Sequence, residues 1–122
     1  MINELISNVK DMAIYIETDD PQGLLEEIRR KIEDQTIKTW TIDADGDYSH
    51  VSQWKDRAWM KSYPGERRIS FGIIGRKDEN MTKMVYGIYH GRFSEMLLTH
   101  FDTSIKTLEL TPNGVEGIDS FK

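Results

Sequence analysis

The sequence of 122 residues contains no cysteine, only three prolines and no long apolar run. Without cysteine, the chain cannot form disulfides, thiolate zinc sites or a cysteine nucleophile. No stretch approaches the roughly 20 apolar residues that a transmembrane helix needs. The first dozen residues include acidic and polar side chains, which are not typical of a secretory signal peptide. We therefore expect a cytoplasmic protein that does not associate with membranes.

The composition that remains indicates a folded chain. Hydrophobic residues make up 38% of the sequence, charged residues 30% and aromatic residues 10%. Disordered chains are poor in aromatic residues, so this composition favours a globular structure. A chain of this length fits one domain and can bury a core without disulfides or metal. We predict a single α+β domain covering residues 1–122.

Charge is unevenly distributed along the chain, although the net charge is only −5. Residues 1–50 hold 5 basic and 12 acidic side chains. Residues 51–92 hold 9 basic and 4 acidic side chains, and residues 93–122 hold 2 basic and 5 acidic side chains. An asymmetry of this kind indicates a charged partner. The alternative is that acidic helices and basic strands pair with each other inside the fold.

Two amphipathic helices are predicted in the first third of the chain. Apolar residues recur at intervals of three and four over residues 2–17, which is typical of one helix face. Asp20 and Pro21 then form a favourable helix start, because proline lacks an amide hydrogen that the first turn would leave unbonded. The second helix should extend to about Asp34. Its buried face should contain Leu24, Leu25, Ile28 and Ile32.

An antiparallel meander of about four strands is predicted after these helices. The segment "TIKTWTID", from Thr36, is rich in β-branched residues, and "DADGD" is a turn signal before the returning strand "YSHV". A second hairpin is formed by "AWMKSY" and "RRISFGIIG", joined by "PGE". Within it, Ile69, Phe71 and Ile73 should alternate toward one face. A final short strand, "SIKTLELT", precedes a loosely held tail at residues 113–122.

Residues 81–101 are compatible with two structures. Residues 84–90 could form another strand, followed by a short helix from Arg92. The apolar residues nevertheless keep a helical period from about Thr82, so we predict one long helix in this half of the chain. Gly87 and Gly91 would share a helix face and let another element pack closely, at a cost of about 1 kcal/mol each.

The carboxylates of "DADGD", Asp43, Asp45 and Asp47, alternate as in a calcium-binding loop. An EF-hand loop also requires glycine at position six and glutamate at position twelve, where this chain has tyrosine and tryptophan. "DG" between two β-rich segments is typical of a hairpin, with Gly46 at positive φ. We therefore predict a turn and no metal site. No phosphate-loop or dinucleotide-binding signature occurs, and we expect no cofactor.

Residues 53–68 interleave aromatic and basic side chains. Aromatic rings can stack on bases while cations contact phosphates, which is a general way to bind single-stranded nucleic acid. Trp59, Lys61 and Tyr63 should share one strand face; alternatively, the tryptophans fill the core and the cations lie outside. The acidity of the whole chain argues against tight nucleic-acid binding. The candidate binding surface consists of Trp54, Trp59, Tyr63, Arg57, Arg67 and Arg68.

Two of the three histidines, His90 and His100, fall in the predicted long helix. Their spacing lacks the i, i+4 pairing by which one helix presents two zinc ligands. His100 should lie inside the buried stripe, as a core residue, whereas His90 should lie at its edge beside Tyr86. In a cleft, a histidine can transfer protons near neutral pH. The candidate catalytic residues are His90, His100 and Tyr86, of which His90 is the strongest. The buried stripe should consist of Phe93, Met96, Leu97 and Phe101.

No motif in the sequence specifies a reaction, so enzymatic activity is not the leading hypothesis. We expect a small interaction or regulatory protein that binds another protein, with an isologous homodimer as one form. The N-terminal helix or an edge strand would supply the interface. The alternatives are a nucleic-acid-binding module that uses the hairpin 54–68, and a small-ligand binder or enzyme that uses His90.

Overall fold

A computed structural model of the chain describes residues 14–51 and 53–112, and within them it contains one sheet and two α-helices. The predicted tail at 113–122 lies outside the described residues. The α+β prediction is confirmed. A short 3-10 turn at Asp102–Ser104 follows the second helix. The elements are β1 (Ile14–Glu17), α1 (Pro21–Glu33), β2 (Trp40–Ile42), β3 (Tyr48–His50), β4 (Ala58–Gly65), β5 (Arg68–Gly75), α2 (Lys83–His100) and β6 (Thr107–Leu110).

The sheet has six strands in the order β2-β3-β4-β5-β1-β6, and all neighbouring strands are antiparallel. The four-strand meander β2 to β5 matches the prediction, and β1 and β6 extend the sheet beyond β5. Apart from the β2–β3 hairpin, the connectivity β-α-β-β-α-β and the order β4-β5-β1-β6 are those of the split β-α-β, or ferredoxin-like, arrangement. An arrangement of this kind carries no function by itself.

The first helix forms where its capping residues predict it. Asp20 Oδ1 accepts a hydrogen bond from the Gly23 amide at 3.1 Å, and Pro21 is the first helical residue. Three of the four residues predicted on its buried face, Leu24, Ile28 and Ile32, are buried, and the fourth, Leu25, is half-buried against the same core. The prediction of this helix is confirmed.

The second helix is continuous from Lys83 to His100, which confirms the long-helix prediction over the strand alternative. Thr82 caps it, because its hydroxyl accepts a hydrogen bond from the Val85 amide at 3.1 Å. One side of the helix packs into the same core as α1. Both helices therefore lie on one face of the sheet, the face toward which Ile69, Phe71 and Ile73 point as predicted.

The predicted helix at residues 2–17 is wrong for its last four residues. Ile14–Glu17 is strand β1, which pairs with β5 on one side and β6 on the other. Ile14 and Ile16 are buried, whereas Tyr15 and Glu17 are half-buried, which is the period of two of a strand. Residues 2–13 of that prediction lie outside the described residues.

Both hairpins form, with small shifts from the predicted boundaries. The strand expected from Thr36 begins at Trp40. In the second hairpin, β4 extends through Pro64 and Gly65, so the turn consists of Glu66 and Arg67 instead of the predicted "PGE". Arg67 adopts a positive φ of 61° in this turn. The pairing register of β4 with β5, and hence the face on which each side chain lies, is set by this turn.

The first hairpin turn brings three carboxylates together. Asp43, Asp45 and Asp47 place their oxygens within 4.8 Å of one another. Asp43 Oδ1 accepts hydrogen bonds from the Asp45 and Asp47 amides, both at 2.9 Å, and Gly46 has a φ of 84°. Burial, together with the neighbouring Asp43 charge, raises the pKa of Asp47. These hydrogen bonds account for the clustering as a hairpin turn, which confirms the turn prediction.

Candidate functional site

The sheet face opposite the helices carries the aromatic and charged residues of β4. Trp59, Lys61 and Tyr63 alternate along the strand with the buried residues Ala58 and Met60, so they point away from the helices. The prediction that these three share one face is confirmed, and Trp59 is not a core residue. We call this surface the outer face. It consists of the side chains of β4, β5, β1 and β6 that point away from the helices.

The middle of the outer face is a row of large and small side chains. Ser70 in β5 pairs with Tyr15 in β1 and with Tyr63 in β4. Gly72, the next residue of β5 on this face, pairs with Lys61. Ser70 and Gly72 are small, and both are buried although they lie on the outer face; Ser70 is only 2% exposed.

One arginine of the outer face differs from the other arginines. Six of the seven arginines form an ion pair with a carboxylate, for example Arg67 with Asp19 at 3.1 Å. Among the residues that the structure describes, Arg68 is the exception. Its cross-strand neighbour Glu17 also has no ion pair within residues 14–51 and 53–112, although the two occupy paired positions of β5 and β1. Both residues are half-buried, and within the described residues neither charge is compensated by an ion pair.

The residues of the basic and aromatic surface predicted from the sequence are spread over the length of β4 and beyond both of its ends. Trp54 and Arg57 precede the strand, whereas Arg67 lies in the turn that follows it. A strand of eight residues spans roughly 25 Å, so these side chains do not form one patch. Trp54 packs against the core, and its carbonyl oxygen accepts a hydrogen bond from the Tyr89 hydroxyl. Of the predicted set, the outer face contains Trp59, Tyr63 and Arg68.

His90 lies inside the protein, with 4% of its surface exposed. Its ring stacks on Tyr86 with the centroids 3.9 Å apart, and Nδ1 lies 2.8 Å from the Tyr86 carbonyl oxygen. Because a carbonyl oxygen only accepts, we assign the hydrogen to Nδ1. Nε2 exposes less than 1 Å². Neither nitrogen is placed to exchange a proton directly with a substrate in solution.

Tyr86 and His90 form one wall of a cleft of about 650 Å³. The opposite wall is the end of β6 and the residues after it, where Leu110 and Pro112 line the space. The Tyr86 hydroxyl donates a hydrogen bond to the Thr111 carbonyl oxygen at 3.4 Å, which joins the two walls. We call this space the α2 cleft. The sequence indicated His90 and Tyr86, but it gave no signal for the opposite wall.

The two helix glycines line the α2 cleft and are exposed. A Cβ atom built on Gly87 or on Gly91 meets no atom within 4 Å. The prediction that another element packs closely on these glycines is therefore wrong for the described part of the chain.

His100 does not join His90 in this site. It is the last residue of α2 and is half-buried, so its predicted place inside the buried stripe is wrong. Its carbonyl oxygen accepts a hydrogen bond from Lys31 Nζ at 3.5 Å, which ties the ends of the two helices together. The stripe itself is confirmed, since Phe93, Met96, Leu97 and Phe101 are buried.

Comparisons with protein-family models, curated proteins and solved structures give no match to this chain. Neither α-helix in the described residues combines the length and the apolar character needed to cross a membrane. The function is therefore inferred from the geometry of the outer face and of the α2 cleft.

The third histidine, His50, was not singled out from the sequence, although its environment is distinctive. Its ring packs edge-on against Trp40, with the centroids 5.0 Å apart. Burial lowers the pKa of His50, and a backbone hydrogen bond at Val51 opposes this only in part. The signal that could have identified it is its position opposite Trp40 in the β2–β3 hairpin, because cross-strand partners contact each other.

His50 should make the protein less stable as the pH falls below about 6.5. The unfolded chain takes up a proton near pH 6.5, whereas the folded chain does so only at lower pH. The unfolded state therefore binds more protons in this window, and the free energy of unfolding declines as the pH drops. Urea unfolding between about pH 7.5 and 5 measures the slope, and His50→Gln should flatten it. A steeper slope in His50→Gln than in the natural chain would contradict this sign.

Proposed function

We propose that this chain is a non-catalytic cytoplasmic interaction protein that binds a second copy of itself through the outer face. The observation that carries the proposal is the pair formed by Arg68 and Glu17. These opposite charges occupy neighbouring positions on one sheet face and have no ion pair in the described part of the chain, where every other arginine has one. A face that carries charges of both signs can be complementary to itself, which favours self-association.

A two-fold axis parallel to the strands, between β5 and β1, makes the outer face complementary to itself. Two sheets stacked in this way keep their strands nearly aligned, and they place β5 of one copy over β1 of the other. Two residues that are paired across β5 and β1 within one chain then face each other between the two copies. Arg68 faces Glu17 of the second copy, and the symmetry repeats the contact. Complementary charges at an interface fix the register and exclude wrong partners.

The same stacking fits the alternation of large and small side chains in the middle of the face. Ser70 and Tyr15 are directly paired, so Tyr15 of one copy lies over Ser70 of the other. Tyr15 brings an aromatic side chain to the middle of the interface, where aromatic residues are enriched. Trp59 and Tyr63 extend the apolar contact toward β4. This arrangement replaces the N-terminal helix and the edge strands as the expected interface.

The charges of the outer face give the nucleic-acid alternative less support. Lys61 and Arg68 lie on β4 and β5, and Glu17 and Glu109 lie on β1 and β6, so the face has no net charge. Affinity for nucleic acid depends on cations that neutralise several phosphates. Most arginines of the basic segment are already paired, as Arg57 is with Glu79 at 3.7 Å.

Two charge-reversal variants, Glu17→Arg and Arg68→Glu, test the proposal. Each variant alone places like charges in contact across the two-fold axis, so its dimer should dissociate at least about tenfold more readily. Mixed in equal amounts, the two variants carry complementary charges at both contacts and should form a mixed dimer. The contacts within each chain are unchanged on mixing, so recovery reports the interface alone. Sedimentation over a concentration series and native mass spectrometry measure both results.

Arg92→Glu serves as the matched control, because Arg92 is an exposed arginine on α2, away from the outer face. This variant should dimerise as the natural chain does. A natural chain that stays monomeric even at high concentration would overturn the proposal, as would folded variants whose mixture stays monomeric. Salt-sensitive binding of a single-stranded oligonucleotide that requires Lys61 would assign the outer face to nucleic acid instead.

A further inference from the structure

The α2 cleft has the dimensions and the walls of a small-molecule site. Its volume of about 650 Å³ is typical of ligand pockets, which are mostly apolar and carry a few polar groups. Tyr86 and His90 line one wall, although their rings stack on each other and are only 8% and 4% exposed, and the exposed side chain of Leu110 lies on the opposite wall. We propose that the cleft binds a small organic acid, with its apolar body between the α2 wall and Leu110 and its carboxylate at Lys83.

The helix glycines are the first argument for a ligand. Gly87 and Gly91 lie inside α2, where glycine weakens a helix, and neither position is needed for close packing in the described chain. Both glycines line the α2 cleft, so a side chain at either position would take up part of the space beside it. The glycines therefore keep open a space that helix stability alone would favour closing.

Lys83 is the second argument, and it indicates the charge of the ligand. It is the first residue of α2, it lines the cleft, and it has no ion pair within residues 14–51 and 53–112. A cation in the first turn opposes the helix dipole, so helix stability does not explain this lysine. An anion in the cleft would be attracted by the Lys83 ammonium group and by the amino-terminal end of the helix.

The third argument is the environment of the buried His90, which indicates whether the ligand exchanges a proton with the protein. His90 is held by its Nδ1 hydrogen bond to the Tyr86 carbonyl oxygen, and Nε2 is shielded from solvent. His90 is 4% exposed and is therefore not arranged as a proton donor to the ligand. The cleft thus binds its ligand without a proton transfer from His90.

Naphthoate and its neutral amide, naphthamide, are the matched probes. Naphthoate should shift the backbone NMR signals of Gly87 and Gly91 and should bind more tightly than naphthamide. Lys83→Gln should weaken naphthoate about threefold to fivefold, as expected for a solvent-accessible ion pair, and leave naphthamide unchanged. These two measurements separate the carboxylate contact from the apolar contact.

Gly91→Leu tests the space itself. The leucine side chain should fill the α2 cleft and weaken both probes at least about tenfold, while the melting temperature rises by roughly 2–5 °C because leucine favours the helix. Lost binding in a more stable protein cannot be attributed to damaged folding. Leu98→Ala, on the exposed part of the same helix, should leave binding unchanged.

Three results would overturn this inference. The first is the absence of shifts at Gly87 and Gly91 at millimolar naphthoate. The second is equal affinity of the natural chain for both probes, which would remove the role of Lys83. The third is binding that appears only in a chain ending at Pro112, which would assign the cleft to residues 113–122. None of these measurements depends on self-association through the outer face.

Discussion

Replacing Ile16 with aspartate should unfold the protein at room temperature. Ile16 is fully buried, at 0% exposure, in a strand flanked on both sides, where it pairs with Ile69 and Leu108. Loss of a buried isoleucine side chain costs about 2–5 kcal/mol, and a carboxyl group without a partner in the core adds several more. Domains of this size are stable by only about 5–15 kcal/mol, so this substitution removes most of that stability.

Circular dichroism and urea unfolding measure this effect, and Ile16→Val is the control at the same position. Valine keeps the branched side chain and should cost about 0.5–1.5 kcal/mol. Glu17 shows that a carboxylate is tolerated one residue further along β1, on the outer face. If Ile16→Asp stayed folded with a loss under about 2 kcal/mol, β1 would not be a core strand.

The position of β1 also changes how the N-terminus can be tested. A truncation through residue 17 deletes a strand that lies between β5 and β6. Loss of folding in that truncated chain would report the missing core strand. It would give no information on whether the N-terminus forms an interface.

The helices were predictable because their determinants are local. Asp20 and Pro21 start α1, and Thr82 starts α2, each within one turn of the residues that it caps. The helical period of apolar residues continues across Gly87 and Gly91, so α2 could be distinguished from a strand.

Strand β1 was not predicted because its determinants are distant in the sequence. Its four residues pair with β5 and β6, which lie more than 50 residues further along the chain. Four residues with isoleucine at alternate positions also fit the end of a helical pattern, since strands and helices share short apolar spacings. Only the pairing partners decide between the two structures.

The same difference between local and distant determinants explains which parts of the candidate surfaces were predicted. Alternation along β4 correctly placed Trp59, Lys61 and Tyr63 on one face, because that pattern lies within one strand. The pairing of Ser70 with Tyr15 could not be predicted, since Tyr15 reaches β5 from another part of the chain. The wall of the α2 cleft formed after β6 was missed for the same reason.

Strand β6 connects the two proposed surfaces. Glu109 lies on the outer face, and the next residue, Leu110, lines the α2 cleft, because successive side chains of a strand point to opposite sides. Self-association and ligand binding therefore use different sides of the sheet. A variant that abolishes one should leave the other measurable, so the two proposals can fail separately.

Phe93→Ala should lower the free energy of unfolding by about 3–5 kcal/mol, the usual cost of removing a buried phenylalanine. Phe93 is 0% exposed and lies between both layers of the fold. Its ring centroid is 5.0 Å from Trp40, 5.2 Å from Tyr48 and 4.8 Å from Phe71. Alanine leaves a cavity beneath three strands and removes all of these aromatic contacts, each of which contributes about 0.5–1.5 kcal/mol beyond the buried area.

Thermal and urea unfolding measure the loss, and the melting temperature should fall by more than about 10 °C. Leu98→Ala removes an apolar side chain from the same helix at a site that is 51% exposed, so it should change stability by about 0.5 kcal/mol or less. Phe93→Leu, which refills most of the volume, should cost less than the alanine variant. Equal losses in Phe93→Ala and Leu98→Ala would mean that Phe93 does not join the helices to the sheet.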